Sequence, residues 1–209
     1  MKKLLTAITV FGALTASSHT VWAAPVDLRT WAPLGDALVT STTAKLSTAF
    51  FDENPVSGPH ASALDIGALE PLLMATPGTL GANAYEGSAL MQNFVFTRRT
   101  RVAFNWTLGT DNFDPNFADL AFALVDGTLL LSLANARSAD VSGLFSYTFG
   151  AGNHMLAFGI VDIGDYVGVS TLAVSGVHVT AAAIPEPGAL PLLLLGLGSL
   201  GLIRRRRFH

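Results

Sequence analysis

The sequence predicts an all-β body, an antiparallel β-sandwich with jelly-roll-like connectivity. Three observations predict it: period-two alternation of apolar and polar residues, short apolar runs at regular spacing, and turn residues between them. Val102, Phe104, Trp106 and Leu108 alternate with Ala103, Asn105 and Thr107, which marks a half-buried strand. Phe145, Tyr147 and Phe149 repeat the pattern against Ser146 and Thr148. About seven short strands spaced in this way fit a sandwich.

In chain order, residues 39–43 and 46–51 read as strands. Residues 62–75 carry Leu64, Ile66, Leu69, Leu72 and Leu73 at mixed spacing with Pro71 among them, so one or two short helical turns are expected there. Residues 90–97 form the next strand, with Arg98-Arg99-Thr100 as the turn into 102–108. Residues 120–125 and 129–133 flank Asp126-Gly127, a strong hairpin signal. Gly150-Ala151-Gly152-Asn153 is a turn before strand 155–161, and 172–180 completes the set. No repeat or low-complexity linker occurs before Ala181-Ala182-Ala183. Residues 24–183 are therefore one domain, long enough for a sizeable core.

The two ends read differently. Lys2 and Lys3 precede an apolar stretch over 4–16, and Val21-Trp22-Ala23 offers a small residue at the cut. Residues 1–23 are thus expected to be a signal peptide, handled by the Sec translocon and signal peptidase. Cleavage one residue later would place Pro25 after the cut, which suits peptidases poorly. At the other end, 188–203 holds sixteen residues without a charge, followed by Arg204, Arg205, Arg206 and Arg207. As a helix it spans roughly 24 Å, short of a hydrocarbon core near 30 Å. Snorkelling arginines and local thinning close that gap. The reading is a single transmembrane helix with its arginines in the cytoplasm and the body outside. Pro185, Glu186 and Pro187 stand before it. Proline cannot extend a helix and biases the preceding residue towards extended backbone, a conformation that processing enzymes accept.

Tripeptide, short span and arginine cluster together resemble the PEP-CTERM sorting signal of Gram-negative bacteria that make extracellular polysaccharide. The resemblance implies that 184–209 is a sorting signal, with Pro185, Glu186 and Pro187 recognised by exosortase, a membrane-embedded cysteine transpeptidase that removes the tail. It implies transient anchoring in the inner membrane, then the cell surface or an extracellular polysaccharide matrix. The body also resembles exported PEP-CTERM body domains, through Glu86-Gly87-Ser88-Ala89, the run 102–106, Asp119-Leu120-Ala121-Phe122 and the run 158–165. Near its end, 169–177 lacks the two acids usual in those domains. That likeness implies a β-sandwich and no particular activity.

Composition narrows the chemistry. The body carries fourteen Asp and Glu against six Lys and Arg, a net of −8 that the whole-chain value of −3 conceals. Nucleic-acid binding needs a basic footprint and is excluded. The chain has no cysteine, which excludes thiol catalysis and thiolate metal sites. His60, His154 and His178 are far apart in sequence, with no zinc-hydrolase spacing, and no nucleophile elbow occurs around any serine. No catalytic residue is therefore assigned. Acidic loops are the remaining lead: Asp111, Asp114 and Asp119 in one, Asp162 and Asp165 in another. Calcium takes six to eight oxygen ligands, and sandwich loops can supply them; the same residues also start ordinary turns. Glycan binding would show as aromatics on a sheet face, with Trp31, Trp106, Tyr147 and Tyr166 available. The expected function is an exported, non-enzymatic structural or glycan- or ion-binding protein. The alternative is a secreted polysaccharide hydrolase with the same tail, or a single-span protein whose tail is never cut. Replacing Arg204 to Arg207 with neutral residues is expected to weaken membrane retention and tail processing, as read by fractionation and intact mass. Unchanged fractionation and mass would contradict that role.

Overall fold

The computed structural model describes residues 23–164, 166 and 168–181. The expected signal segment up to Trp22, the tripeptide, the membrane segment, the arginine cluster and Asp165 lie outside the described residues. Among the described residues there are twelve strands: β1 (Ala24–Pro25), β2 (Ala32–Leu34), β3 (Ala37–Val39), β4 (Thr43–Ser47), β5 (Leu64–Asp65) and β6 (Ala84–Phe96), then β7 (Thr100–Thr110), β8 (Leu120–Val125), β9 (Leu129–Asn135), β10 (Val141–Phe149), β11 (Gly152–Ile163) and β12 (Ser170–Ala181). A 3-10 turn covers Leu28–Thr30, and α1 covers Ile66–Leu72. Among the described residues no helix is long and apolar enough to cross a membrane.

Two antiparallel sheets face each other. One runs β10-β7-β12-β4-β3 with β1 on β12; the other runs β2-β6-β11-β8-β9 with β5 on β6. Nearly every long connection crosses between sheets, and β8–β9 stays within one. This is the jelly-roll order of two interleaved Greek keys. The β8–β9 hairpin turns at Asp126 and Gly127 with φ of 52° and 69°, the paired left-handed backbone of a type I′ turn.

Burial separates the sheets. In β7 and β10 apolar residues alternate with exposed ones, so one face of that sheet meets water. In β8 every residue from Ala121 to Val125 is buried, and in β11 every residue from Met155 to Asp162. A strand without alternation is buried on both faces. One face of β8 and β11 meets the inter-sheet core around Phe104, Phe158 and Leu156. The other meets a second cluster, in which Phe122, Leu124 and Met155 pack with Leu69, Leu73 and Leu80 from α1 and its following loop. The helix covers the second sheet, and the first sheet keeps an open outer face.

Inside the sandwich an aromatic column links the layers. Phe104 lies 4.6 Å from Phe145 and 5.0 Å from Phe158 between ring centroids, and Trp31 lies 5.3 Å from Phe158. Such ring pairs add stability beyond their buried area.

Several strands run longer than their sequence-based bounds, and three differences have a local cause. The strand expected at 90–97 begins at Ala84, because Glu86 to Ala89 are buried by neighbours on both sides and show no alternation. Residues 40–42 form a turn between β3 and β4 rather than a strand: the Thr40 amide donates to the Thr43 carbonyl at 2.8 Å, and the two hydroxyls meet at 2.8 Å. Threonine hydroxyls compete with ladder bonding in this way. The strand expected at 46–51 ends at Ser47, whose Oγ donates to the Asp36 carboxylate. Phe104→Ala is expected to cost about 3–5 kcal/mol of stability by chemical denaturation. A cost under about 1 kcal/mol would mean the column carries little of the core.

Candidate functional site

The open sheet supplies a trough. Two hollows of about 490 and 330 Å³ lie on its outer face and share Lys45, Thr107 and Ala173 as lining. Outward positions of β7 and β12 are small or polar here: Asn105, Thr107 and Gly109 on one strand, Thr171, Ala173 and Ser175 on the next. Period-two geometry puts these residues on one face. Their small side chains leave the space, and their hydroxyls and amide supply donors and acceptors.

Acidic side chains close one end of the trough, at Glu53, Asp111 and Asp140. Two of them are aimed by backbone. Asp111 Oδ1 accepts from the Val169 amide at 2.7 Å, while the Asp111 amide donates to the Val169 carbonyl at 3.1 Å. Glu53 Oε2 accepts from the Phe50 amide at 2.9 Å. Each uses one carboxylate oxygen in these bonds. Asp140 rests over Gly109, where an added Cβ would stand 2.6 Å from Asp140 Oδ1. Glycine at 109 is thus what lets a carboxylate lie on the trough floor. Lys45 is exposed beside it, with no ion-pair partner among the described residues.

A second group of acids lies behind this end. Glu86 on β6 and Asp162 on β11 are 2% and 1% exposed, next to a bulge where the β6–β11 register shifts between Val161 and Ile163. Asp119 accepts from the Ile163 amide at 3.2 Å. Burial, and then the neighbouring charges of Asp162, Glu53, Asp119 and Asp65, push the Glu86 carboxyl up to about 8. Glu86 is therefore protonated at neutral pH. Oε2 of Glu86 has no hydrogen-bond partner among the described residues. A carboxylic acid beside a carboxylate is the pairing that glycoside hydrolysis uses, but with so little exposure neither Glu86 nor Asp162 can meet a substrate.

The expected calcium residues are thus spread across different roles. Asp111 is at the trough, and Asp119 and Asp162 are in the buried group. Asp114 accepts from the Asn116 amide at 2.8 Å, an ordinary turn bond; Asp165 is outside the described residues. Among the described residues no three His, Asp or Glu converge so as to hold a metal ion. Asp36 and Glu70 are buried and structural. Asp36 accepts from the Val56 and Ser57 amides at 2.7 and 2.9 Å, pinning the β4–β5 loop. Glu70 accepts from the Gly78 and Leu80 amides at 2.9 and 2.8 Å. His154 pairs with Asp126 at 2.9 Å, a structural contact.

Trp106 is buried, as its alternation with core-type residues predicts, and Trp31 and Tyr147 are not available on a sheet face either. Trp31 and Trp106 are in the core and Tyr147 packs against it. The exposed aromatics gather at the acidic end: Phe51, Phe113, Phe117 and Tyr166 in loops, and Tyr85 at the start of β6. Tyr85 and Tyr166 rings lie 4.8 Å apart. Sequence reasoning missed all but Tyr166, because loops carry no alternation. The doublet Phe50-Phe51 and the pair Phe113 and Phe117 among Asp and Asn were the available signals.

Residues 183–207 match the PEP-CTERM protein-sorting motif. The chain carries a PEP-CTERM sorting motif. This motif implies export and processing by an exosortase-like enzyme. No curated protein matches the sequence. Among solved structures, TmCBM61 in complex with β-1,4-galactotriose shares 12% identity over 75% of this chain and 91% of its own, at a TM-score of 0.36. The N-terminal cellulose-binding domain of Cellulomonas fimi β-1,4-glucanase C shares 12% over 74% and 90%, at 0.33. At these scores the likeness carries no argument about ligand or activity.

Glu86→Gln tests the buried acid. An unfolded glutamate ionises near 4.5 while the folded one holds its proton to about 8. The folded state therefore binds more protons in between, and stability falls as pH rises through that window. The glutamine variant is expected to lack this slope and to exceed the parent at pH 8, by up to roughly 4–5 kcal/mol at about 1.4 kcal/mol per pKa unit. Parallel stability curves from pH 4 to 9 would contradict the assignment.

Proposed function

We propose that this protein is an exported polysaccharide-binding module whose open-face trough seats a neutral or amino-sugar glycan chain. The observation that carries the reading is the trough itself, continuous across β4, β7 and β12, with small or polar residues such as Thr107, Gly109, Thr171 and Ala173 on its floor and Leu38 and Trp106 lining its far end. Sugar hydroxyls both donate and accept, so a floor of threonine, serine and asparagine with fixed carboxylates at one end suits them. Glu53, Asp111 and Asp140 outnumber Lys45, so uronate-rich or sulfated chains are repelled. Exposed loop aromatics at the same end offer apolar faces to a chain that extends beyond the trough.

Delivery is part of the proposal. Residues 1–23 act as a signal peptide and 24–183 fold outside the cytoplasm. The segment 188–203 then holds the chain in the inner membrane until an exosortase-like transpeptidase acts at Pro185, Glu186 and Pro187. The body goes on to the cell surface or the polysaccharide matrix, where binding glycan is a structural task. The hydrolase alternative is not favoured, since Glu86, the one carboxyl with a raised pKa among the described residues, is buried.

Binding of neutral and of uronate-containing polysaccharides, measured by affinity electrophoresis, tests the reading. Asp140→Ala and Gly109→Val, which would displace Asp140, are each expected to weaken neutral-glycan binding at least about tenfold, or ~1.4 kcal/mol. Thr148→Ala, exposed on β10 outside the trough, should bind as the parent does. Equal binding by all three variants, or preference for uronate chains, would refute it.

A further inference from the structure

Both chain exits are at one pole of the sandwich, opposite the trough's acidic end. Ala181, the last residue of β12, pairs with Thr100. Ala24 and Pro25, where the body begins, pair with Val179 and His178 of the same strand. Thr100 also faces Phe149, and Phe96 faces Gly152, so the β6–β7 and β10–β11 turns share that pole. Arg98 and Arg99 form the first of these turns, and Arg101 follows on β7. All three are exposed. They are half of the body's six basic residues, yet neither ion pair of the described residues, Arg29–Asp27 and His154–Asp126, involves them. The turn is held by the Thr100 hydroxyl, which donates to the Arg98 carbonyl at 2.8 Å, and Arg101 Nε donates to Ser146 Oγ at 2.5 Å. A strongly acidic body thus keeps a positive end where its tail departs.

The geometry points to Arg98, Arg99 and Arg101 as a docking surface for anionic phospholipid headgroups, one that stands the body on the membrane with the trough facing away. Only three residues separate Ala181 from Pro185, at most about 14 Å of extended chain. That keeps the pole within a Debye length or two of the bilayer, about 10 Å at 0.1 M salt. Arginines at this distance are attracted to anionic lipid. The other pole, with Glu53, Asp111 and Asp140, is repelled. Charge therefore sets orientation while the tail sets location. The inference rests on the reading that the tail holds the chain in a bilayer.

Full-length protein reconstituted into phosphatidylcholine vesicles, with and without phosphatidylglycerol, tests this. The chain has no cysteine, so Gly150→Cys gives one labelling site in the β10–β11 turn, where an added side chain meets nothing within 4 Å. Energy transfer from that label to a lipid-borne acceptor is expected to rise with phosphatidylglycerol and fall back at high salt. Arg98→Gln, Arg99→Gln and Arg101→Gln combined should abolish the rise. A label at Asn116→Cys, on the acidic pole, should show lower transfer throughout. Transfer indifferent to lipid charge, a rise retained by the triple variant, or an Asn116 label closer to the bilayer would each overturn the docking surface. Failure of the parent chain to float with either vesicle would overturn the anchoring reading and the docking surface together.

Discussion

Covering one sheet of a sandwich with a helix decides where everything else can happen. Leu69, Leu73 and Leu80 close the outer face of β8 and β11, so those strands are apolar on both sides and offer nothing to a ligand. The other sheet has no such cover. Its β7 and β12 must be apolar inward and water-compatible outward, and the outward positions became Asn105, Thr107, Gly109, Thr171, Ala173 and Ser175. The trough is a consequence of that asymmetry. Had α1 been absent, Phe122 and Leu124 would lie bare and the second sheet would need its own polar face.

Acidity follows a similar division. Some carboxylates are used up in building the loops: Asp36 holds the β4–β5 segment and Glu70 holds the turn after α1. Others are presented to solvent on a backbone that fixes them, as Val169 fixes Asp111. A third set, Glu86 with Asp162 and Asp119, is buried together at the β6–β11 bulge, and Glu86 answers the crowding by keeping its proton. Crowding acids at one end and arginines at the other gives the body a polarity aligned with the exit of its tail.

Much of the architecture was legible in the residues. Alternation in Val102 to Leu108 and Phe145 to Phe149, the Asp126-Gly127 turn and the Pro71-interrupted helix all appear as expected. The sorting motif was legible because its three parts occur in fixed order at the terminus. The trough was not legible. It depends on strands β4, β7 and β12 lying side by side, although they are separated by scores of residues, and no local pattern reports such pairing. The start of β6 was hidden for the opposite reason, since Glu86 to Ala89 are buried on both sides. Loop aromatics such as Phe51 and Phe113 lack periodicity, so only folding shows that they gather near the acidic end.

Carboxyl footprinting of the full-length chain by mass spectrometry, with and without a saturating neutral oligosaccharide, addresses the central claim directly. If the open face seats glycan, labelling of Asp111, Asp140 and Glu53 drops on addition of sugar, while Asp65 and Asp126, on other faces, label as before. Unchanged labelling of the trough carboxylates in the presence of bound sugar would place the ligand elsewhere and contradict the account.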